Sequence, residues 1–300
     1  MAETLFEAPL TLFGLPLSQS FSEARVAVLG IPFDCGIDPT RFGPRLGPNA
    51  IRQASVLTAT LLQDADVSPL DGVIDAGNVR LALDDIQSAF DSIERAMREV
   101  LRQDCVPLTL GGDGAVSLPQ MRAIREFHDK VAVLHFDAHT DAWKLDSNDH
   151  FDNTTQFTHA VNEDLIDVPN TLHVGTRGPV NAQRAIDYAR GLGYEVIPYT
   201  TVRNWGEERL LAHLHERLAG RKVYLCFDMD FFDPSIAPGV ATPTPGGAGA
   251  AEGLAFVRGL RGLDIIAADI NTVTPVHDPA GVTASLAASV AAECLALVNS

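Results

Sequence analysis

A chain of 300 residues, 46% of them apolar and with no Ser/Gly-rich linker or break in composition, points to one domain over 1-300 rather than several. Its net charge of −17 argues against nucleic acid or an anionic membrane as partner, because both need basic surface. The N-terminus lacks a basic n-region and a long apolar stretch, and no apolar run reads as long enough to span a bilayer, so the cytoplasm is the expected location.

Strand-like and helix-like segments then alternate along the chain. Arg25 to Gly30 reads as a buried strand, followed by a helix over Pro48 to Leu62. Ile86, Phe90, Ile93, Met97 and Leu101 recur at steps of three and four, the spacing of an amphipathic helix, before a second strand at Val106 to Leu110. Further strands are expected at Val131–Phe136, Thr171–Gly175, Glu195–Pro198, Val223–Phe227 and Ile265–Asp269. Helices are expected near Leu118–His128, Ala182–Leu192, Glu207–Leu218, Ala251–Leu260 and Thr283–Leu297. Short, uniformly apolar strands separated by helices imply an α/β fold, a mostly parallel sheet covered on both faces in three αβα layers. The cysteines, Cys35, Cys105, Cys226 and Cys294, are widely spaced with no Cys-x-x-Cys, which predicts buried free thiols rather than disulfides or zinc ligands.

In such sheets ligands bind at the carboxyl ends of the strands. Three strand ends carry chemistry: Gly111-Gly112-Asp113-Gly114, Asp137-Ala138-His139-Thr140-Asp141, and Asp228-Met229-Asp230-Phe231-Phe232-Asp233-Pro234. No Lys-Ser/Thr follows the glycines, so a phosphate-cradling loop is not expected there. Asp233, before a proline, reads as a turn former. The other four aspartates and His139 crowd two strand ends, with only Lys144 as a nearby cation. Carboxylates at the ends of buried strands are costly unless paired, so this crowd needs positive charge from elsewhere. Alternation along an extended segment lets Asp137, His139 and Asp141 point one way, and Asp228 and Asp230 likewise. Carboxylate oxygens with one imidazole suit manganese or nickel, and suit zinc less well.

These residues resemble the ureohydrolases, the family of arginase, agmatinase and guanidinobutyrase. Gly30-Ile-Pro-Phe-Asp34 with Gly43-Pro-Arg-Leu-Gly-Pro-Asn-Ala-Ile-Arg52 is similar to the family's N-terminal signature, and Asp137-Ala-His-Thr-Asp141 to its Asp-Ala-His-x-Asp motif. Phe227-Asp-Met-Asp-Phe-Phe-Asp-Pro234 with Pro238-Gly239 and Thr242–Gly247 is similar to its third motif. The resemblance implies an arginase-like fold, a trimer or hexamer, and two divalent cations that activate water against a guanidinium carbon, releasing urea and an amine. It implies Asp137 and Asp228 as ligands bridging both cations, His139 and Asp230 completing one position, and Asp141 at the other. It also implies catalytic roles for Asp141 and for a proton-shuttling His159, and substrate contacts from Thr272, Asn271 and Trp143.

The chain departs from the family at several points. Gly-Gly-Asp-His-Ser becomes Gly111-Gly-Asp-Gly-Ala115, so Gly114 stands where an imidazole ligand is usual, and reduced occupancy is expected at the position Asp141 serves. His-Gly-Thr corresponds to His159-Ala160-Val161, and the glutamate that pairs with substrate in many members falls near Thr272. The Asn271-Thr272-Val273 segment resembles members acting on guanidine or small alkylated guanidines, metformin hydrolase among them. Two expectations stay open. Either the chain is a self-sufficient amidinohydrolase like agmatinase or guanidinobutyrase, with an altered or mostly mononuclear metal site and His150 or Asp152 filling the gap, or it is the impaired partner of an intact paralogous subunit. The clustering of changes leans toward the second.

Overall fold

The computed structural model describes residues 9–35, 41–58, 70–82, 85–147, 150–178 and 182–299. In chain order the elements are β1 (Val26–Gly30), α1 (Gly47–Ser55), β2 (Val73–Asn78), α2 (Ile86–Leu101), β3 (Val106–Leu110), α3 (Ser117–Phe127), β4 (Ala132–Phe136) and α4 (Gln156–Asn162). They continue with β5 (Leu172–Val174), α5 (Ala182–Leu192), β6 (Glu195–Ile197), α6 (Tyr199–Leu218), β7 (Lys222–Asp228), α7 (Ala250–Gly259), β8 (Asp264–Asn271) and α8 (Val282–Val298). All eight strands pair in parallel, in the order β2-β1-β3-β8-β7-β4-β5-β6. Helices cover both faces, giving the three-layer αβα architecture. Alternate strand residues feed separate cores: Leu134, Phe136, Leu225 and Phe227 join one, Val133, Tyr224 and Cys226 the other.

The chain builds outward from β1, crosses to β4, runs to the far edge at β6, and returns. The last strand, β8, closes the gap between β3 and β7. That closure brings the ends of β3, β8, β7 and β4 side by side at the centre of the sheet. Crevices outside carboxyl ends at such an order reversal are where open parallel sheets place ligands.

The structure departs from the sequence reading at four points. β2 lacks an apolar run because Asp75, fully buried, and Gly77 interrupt it. Helix α6 begins at Tyr199 and breaks at Gly206, whose φ of 73° only glycine adopts freely, so the helix expected from Glu207 is its second segment. The helix expected over Pro48–Leu62 ends at Ser55, residues 56–58 forming a turn, and 59–62 lie outside those described. The stretch Pro279–Val298 is 20 residues of mean hydropathy 1.7, long and apolar enough by composition to cross a bilayer, contrary to the reading above. Here it is a core helix, 67% of that window being buried. It packs on α1, α7 and β8, and its buried Glu293 pairs with Arg258.

Asp75 is held by Arg52 from α1 in a bidentate pair, Nε to Oδ2 at 2.8 Å and Nη2 to Oδ1 at 2.9 Å. Its oxygens also accept the Leu12 and Gly77 backbone N–H groups at 2.8 Å each. Both partners are buried, so removing either strands the other's charge. Arg52→Ala is expected to cost about 3–5 kcal/mol in chemical denaturation. Arg102→Ala, whose exposed pair with Glu99 serves as control, should cost less than about 1 kcal/mol; equal effects would contradict this role.

Candidate metal centre

Asp137, His139 and Asp141 follow β4, Asp228 ends β7 with Asp230 just beyond, and Thr272 follows β8. Because β4, β7 and β8 are neighbours, His139, Asp141, Asp228, Asp230 and Thr272 line one cavity of about 450 Å³, while Asp137, outside the lining, faces His139. A larger hollow, about 700 Å³, lies between residues 19–22 and α2, and gathers no comparable set of donors among the described residues.

Asp137 is the centre of the cluster. Its Oδ1 accepts the His139 backbone N–H and faces His139 Nδ1 at 3.1 Å, while Oδ2 lies 3.0 Å from His135 Nε2. His139 Nδ1 also lies 3.0 Å from Asp230 Oδ2, and Asp230 Oδ1 accepts the Ala138 N–H at 3.0 Å. Asp228 Oδ1 accepts the Asp230 N–H at 2.7 Å and the Thr272 hydroxyl. The turns therefore aim backbone donors at the carboxylates and fix their orientation before any ligand arrives. Thr272 sits at φ 66°, an unusual conformation for a β-branched residue and one that costs about 1–3 kcal/mol. Its N–H donating to Gly112 O at 2.7 Å and its hydroxyl on Asp228 hold it there.

The charge balance is unfavourable as it stands. Burial, and then the charges of Asp230 and Asp137, push Asp228 well above the carboxylate range. Burial, with Asp137 next, does the same to Asp141 and raises Asp230. Burial would also raise Asp137, but His135 and then His139 outweigh it and hold its carboxyl low. Burial works against a charged His139, yet Asp230 and Asp137 hold its pKa well above the ordinary imidazole value. Protons are a poor substitute for fixed positive charge in such a cluster. The ligand atoms of Asp137, His139 and Asp230 lie within 4.8 Å of one another, so the donor set fits a divalent cation that prefers oxygens with one imidazole. Asp228 borders the same cavity. His135, Asp137 and Asp141 form a second close trio. There, however, Asp141 Oδ2 is engaged by the Gln156 amide, which donates at 2.6 Å.

Of the other residues singled out in the sequence, Trp143 and Thr272 line the cavity. Asn271 does not. One residue earlier on β8, its amide turns inward and donates to Asp269 Oδ2 at 3.1 Å, as strand alternation requires. His159 also stands outside the lining: it lies within α4, a helix the sequence reading missed, with its ring stacked on Phe151 and Nε2 on the His150 carbonyl at 2.8 Å. Neither His150 nor Asp152 fills the gap left by Gly114. They pair with each other at 2.6 Å, and Asp152 caps the turn through the Thr154 N–H and hydroxyl. Asp233 is the expected turn former, accepting from the Ser235, Gly246 and Gly247 N–H groups.

The residues from this segment that border the cavity are Asn153 and Thr154, and Gln156 is the one that reaches Asp141. All three were missed, because a polar stretch without periodicity gives no sign of which side chain faces inward. Arg177 was missed as well. Its guanidinium donates to the carbonyls of Asp230, Phe232 and Thr244, tying the loop after β7 to the opposite cavity wall.

The Arginase family model matches residues 24–297. Guanidinobutyrase from Pseudomonas aeruginosa is 34% identical over 298 residues, spanning 96% of this chain and 92% of that protein. Agmatinase from Serratia proteamaculans is 35% identical over 280 residues, spanning 92% of this chain and 88% of its own. Among solved structures, proclavaminate amidino hydrolase from Streptomyces clavuligerus superposes with a TM-score of 0.90 at 32% identity, over 97% of this chain and 96% of that one. The match thus runs from β1 into α8 and takes in every strand that carries the cluster, and the chain belongs to the arginase family.

Proposed function

We propose that this chain is a divalent-metal-dependent amidinohydrolase that cleaves the C–N bond of a small guanidino compound to urea and an amine. The observation that carries the reading is the Asp137–His139–Asp230 trio, its two acids buried, with His139, Asp228 and Asp230 lining a 450 Å³ cavity. The names of the relatives, guanidinobutyrase, agmatinase and proclavaminate amidinohydrolase, share that bond class. Manganese or nickel at these donors would lower the pKa of water and balance the buried carboxylates. Asp137 and Asp230 hold and orient the His139 ring, and Thr272 holds Asp228. Asp141 keeps Oδ2 on Gln156 and leaves Oδ1 to take a proton from the attacking water. The planar cation stacks on Trp143, with Thr272 and Asn153 as polar contacts. Thr272 offers no carboxylate to a long-chain guanidinium, which favours guanidine itself or small alkylated or biguanide-like cations. Four cysteines with no disulfide among them suit a cytoplasmic protein.

A second reading makes the chain the impaired partner of an intact paralogue within a trimer or hexamer. Gly114 and the inward-turned His159 favour it, since two groups expected to serve the chemistry are missing from the cavity.

The assay is urea release from guanidine, metformin and 4-guanidinobutyrate by the purified chain with Mn²⁺ or Ni²⁺, alone and co-expressed with an intact paralogue. Release by the chain alone supports the first reading, and release only on co-expression supports the second. No release in either format, with metal bound, would sink both. Asp137→Asn should lower cation affinity by more than about 100-fold, read by calorimetric titration. Stripping the metal should lower stability by about 2.7 kcal/mol relative to protein held at 100 times its Kd, and an unchanged Tm would argue against a folded-state site.

A further inference from the structure

We propose that Gln156 occupies the second cation position of this site, so that the chain holds one divalent ion where two are expected; the inference rests on the metal reading above. Gly114 leaves a space beside Asp141, and the Gln156 side chain fills it. A Cβ built on Gly114 would meet Gln156 Nε2 at 2.8 Å, Asp141 Oδ2 at 3.0 Å and the Asn153 carbonyl at 3.4 Å. Contacts below 3 Å are ones real Cβ atoms essentially never show, so Gly114 and Gln156 are complementary shapes. An imidazole at 114 and the Gln156 amide in its present place compete for the same space, and for the ring to enter, the amide must give up Asp141 Oδ2.

The chemistry of the amide points the same way. Gln156 is 1% exposed, and its Nε2 donates to Asp141 Oδ2 at 2.6 Å. That N–H presents positive charge to a buried carboxylate, which is what a cation would do. An amide nitrogen has no lone pair to offer a metal, and it already claims the oxygen through which Asp141 would bind. With Asp141 ionised, as it is beside a cation, flipping the amide would set two acceptors 2.6 Å apart, so the donor orientation is the one that state supports. The backbone holds Gln156 in place: Phe157 N–H donates to Asp141 O at 3.0 Å and Trp143 N–H to Thr154 O at 2.9 Å. The Asp137–His139–Asp230 trio makes no hydrogen bond to Gln156 and keeps its geometry.

The test counts Mn²⁺ ions on metal-stripped, reloaded protein by elemental analysis and calorimetric titration, with electron paramagnetic resonance to detect spin-coupled pairs. Circular dichroism and Tm confirm that each variant is folded. Wild type is expected to hold one ion with an uncoupled signal. Gly114→His alone should stay at one, whereas Gly114→His with Gln156→Ala should hold two and show a coupled signal. Two tightly held ions in wild type, two in Gly114→His alone, or one in a folded double variant would each overturn the role of Gln156. Wild type that binds no Mn²⁺ or Ni²⁺ would instead overturn the metal reading beneath it, a separate result. If the double variant does not fold, the wild-type count and signal still decide.

Discussion

Four carboxylates, Asp137, Asp141, Asp228 and Asp230, are buried together at adjacent strand ends, and much of the molecule is arranged around the cost of keeping them there. Unpaired, each would cost several kcal/mol to hold charged away from water. Backbone N–H groups from the turns after β4 and β7, the His139 and His135 rings, and the Thr272 hydroxyl offset part of that cost. What they do not supply is net positive charge equal to the acids. The cluster is thus built for a partner cation, and that requirement ties the fold to the chemistry.

The sheet order is what makes the cluster possible. β8 enters last, between β3 and β7, so the loop carrying Gly114, the acids of β7 and the Asp-x-His-x-Asp segment of β4 meet at one end. Stability at the β2 edge comes from a different buried ion pair, Arg52 with Asp75. Arg52 belongs to the Gly43–Arg52 segment that resembles the family signature, and in this structure that residue anchors a strand rather than touching the cavity. Segments that look functional by their conservation-like character can be structural, and contacts decide which.

Gly114, Gln156 and Asn153 lie beside Asp141, whereas Asp137, His139 and Asp230 form a coherent trio, Thr272 sits on Asp228, and His159 faces Phe151. The space beside Gly114 is not an open hole. A neighbouring amide has closed over it, with its own hydrogen bond and its own packing. Loss at one position and gain at another are coupled by shape, and substituting either residue alone leaves a clash or a void.

The fold class was legible in the sequence because parallel strands are short apolar runs and their helices carry periodic apolar faces; seven of the eight strands follow from that alone. β2 was not, because its interior carries an aspartate that only its distant partner Arg52 neutralises. The acids and His139 could be read as a group, since alternation along an extended segment sets which side chains share a face. Which amide fills the space by Gly114, that Asn271 points away from the cavity while Thr272 faces it, and that His159 stacks on Phe151 were decided by tertiary packing. Each depends on contacts between segments far apart in the chain or on the exact start of a short helix, and neither leaves a periodic trace in the sequence.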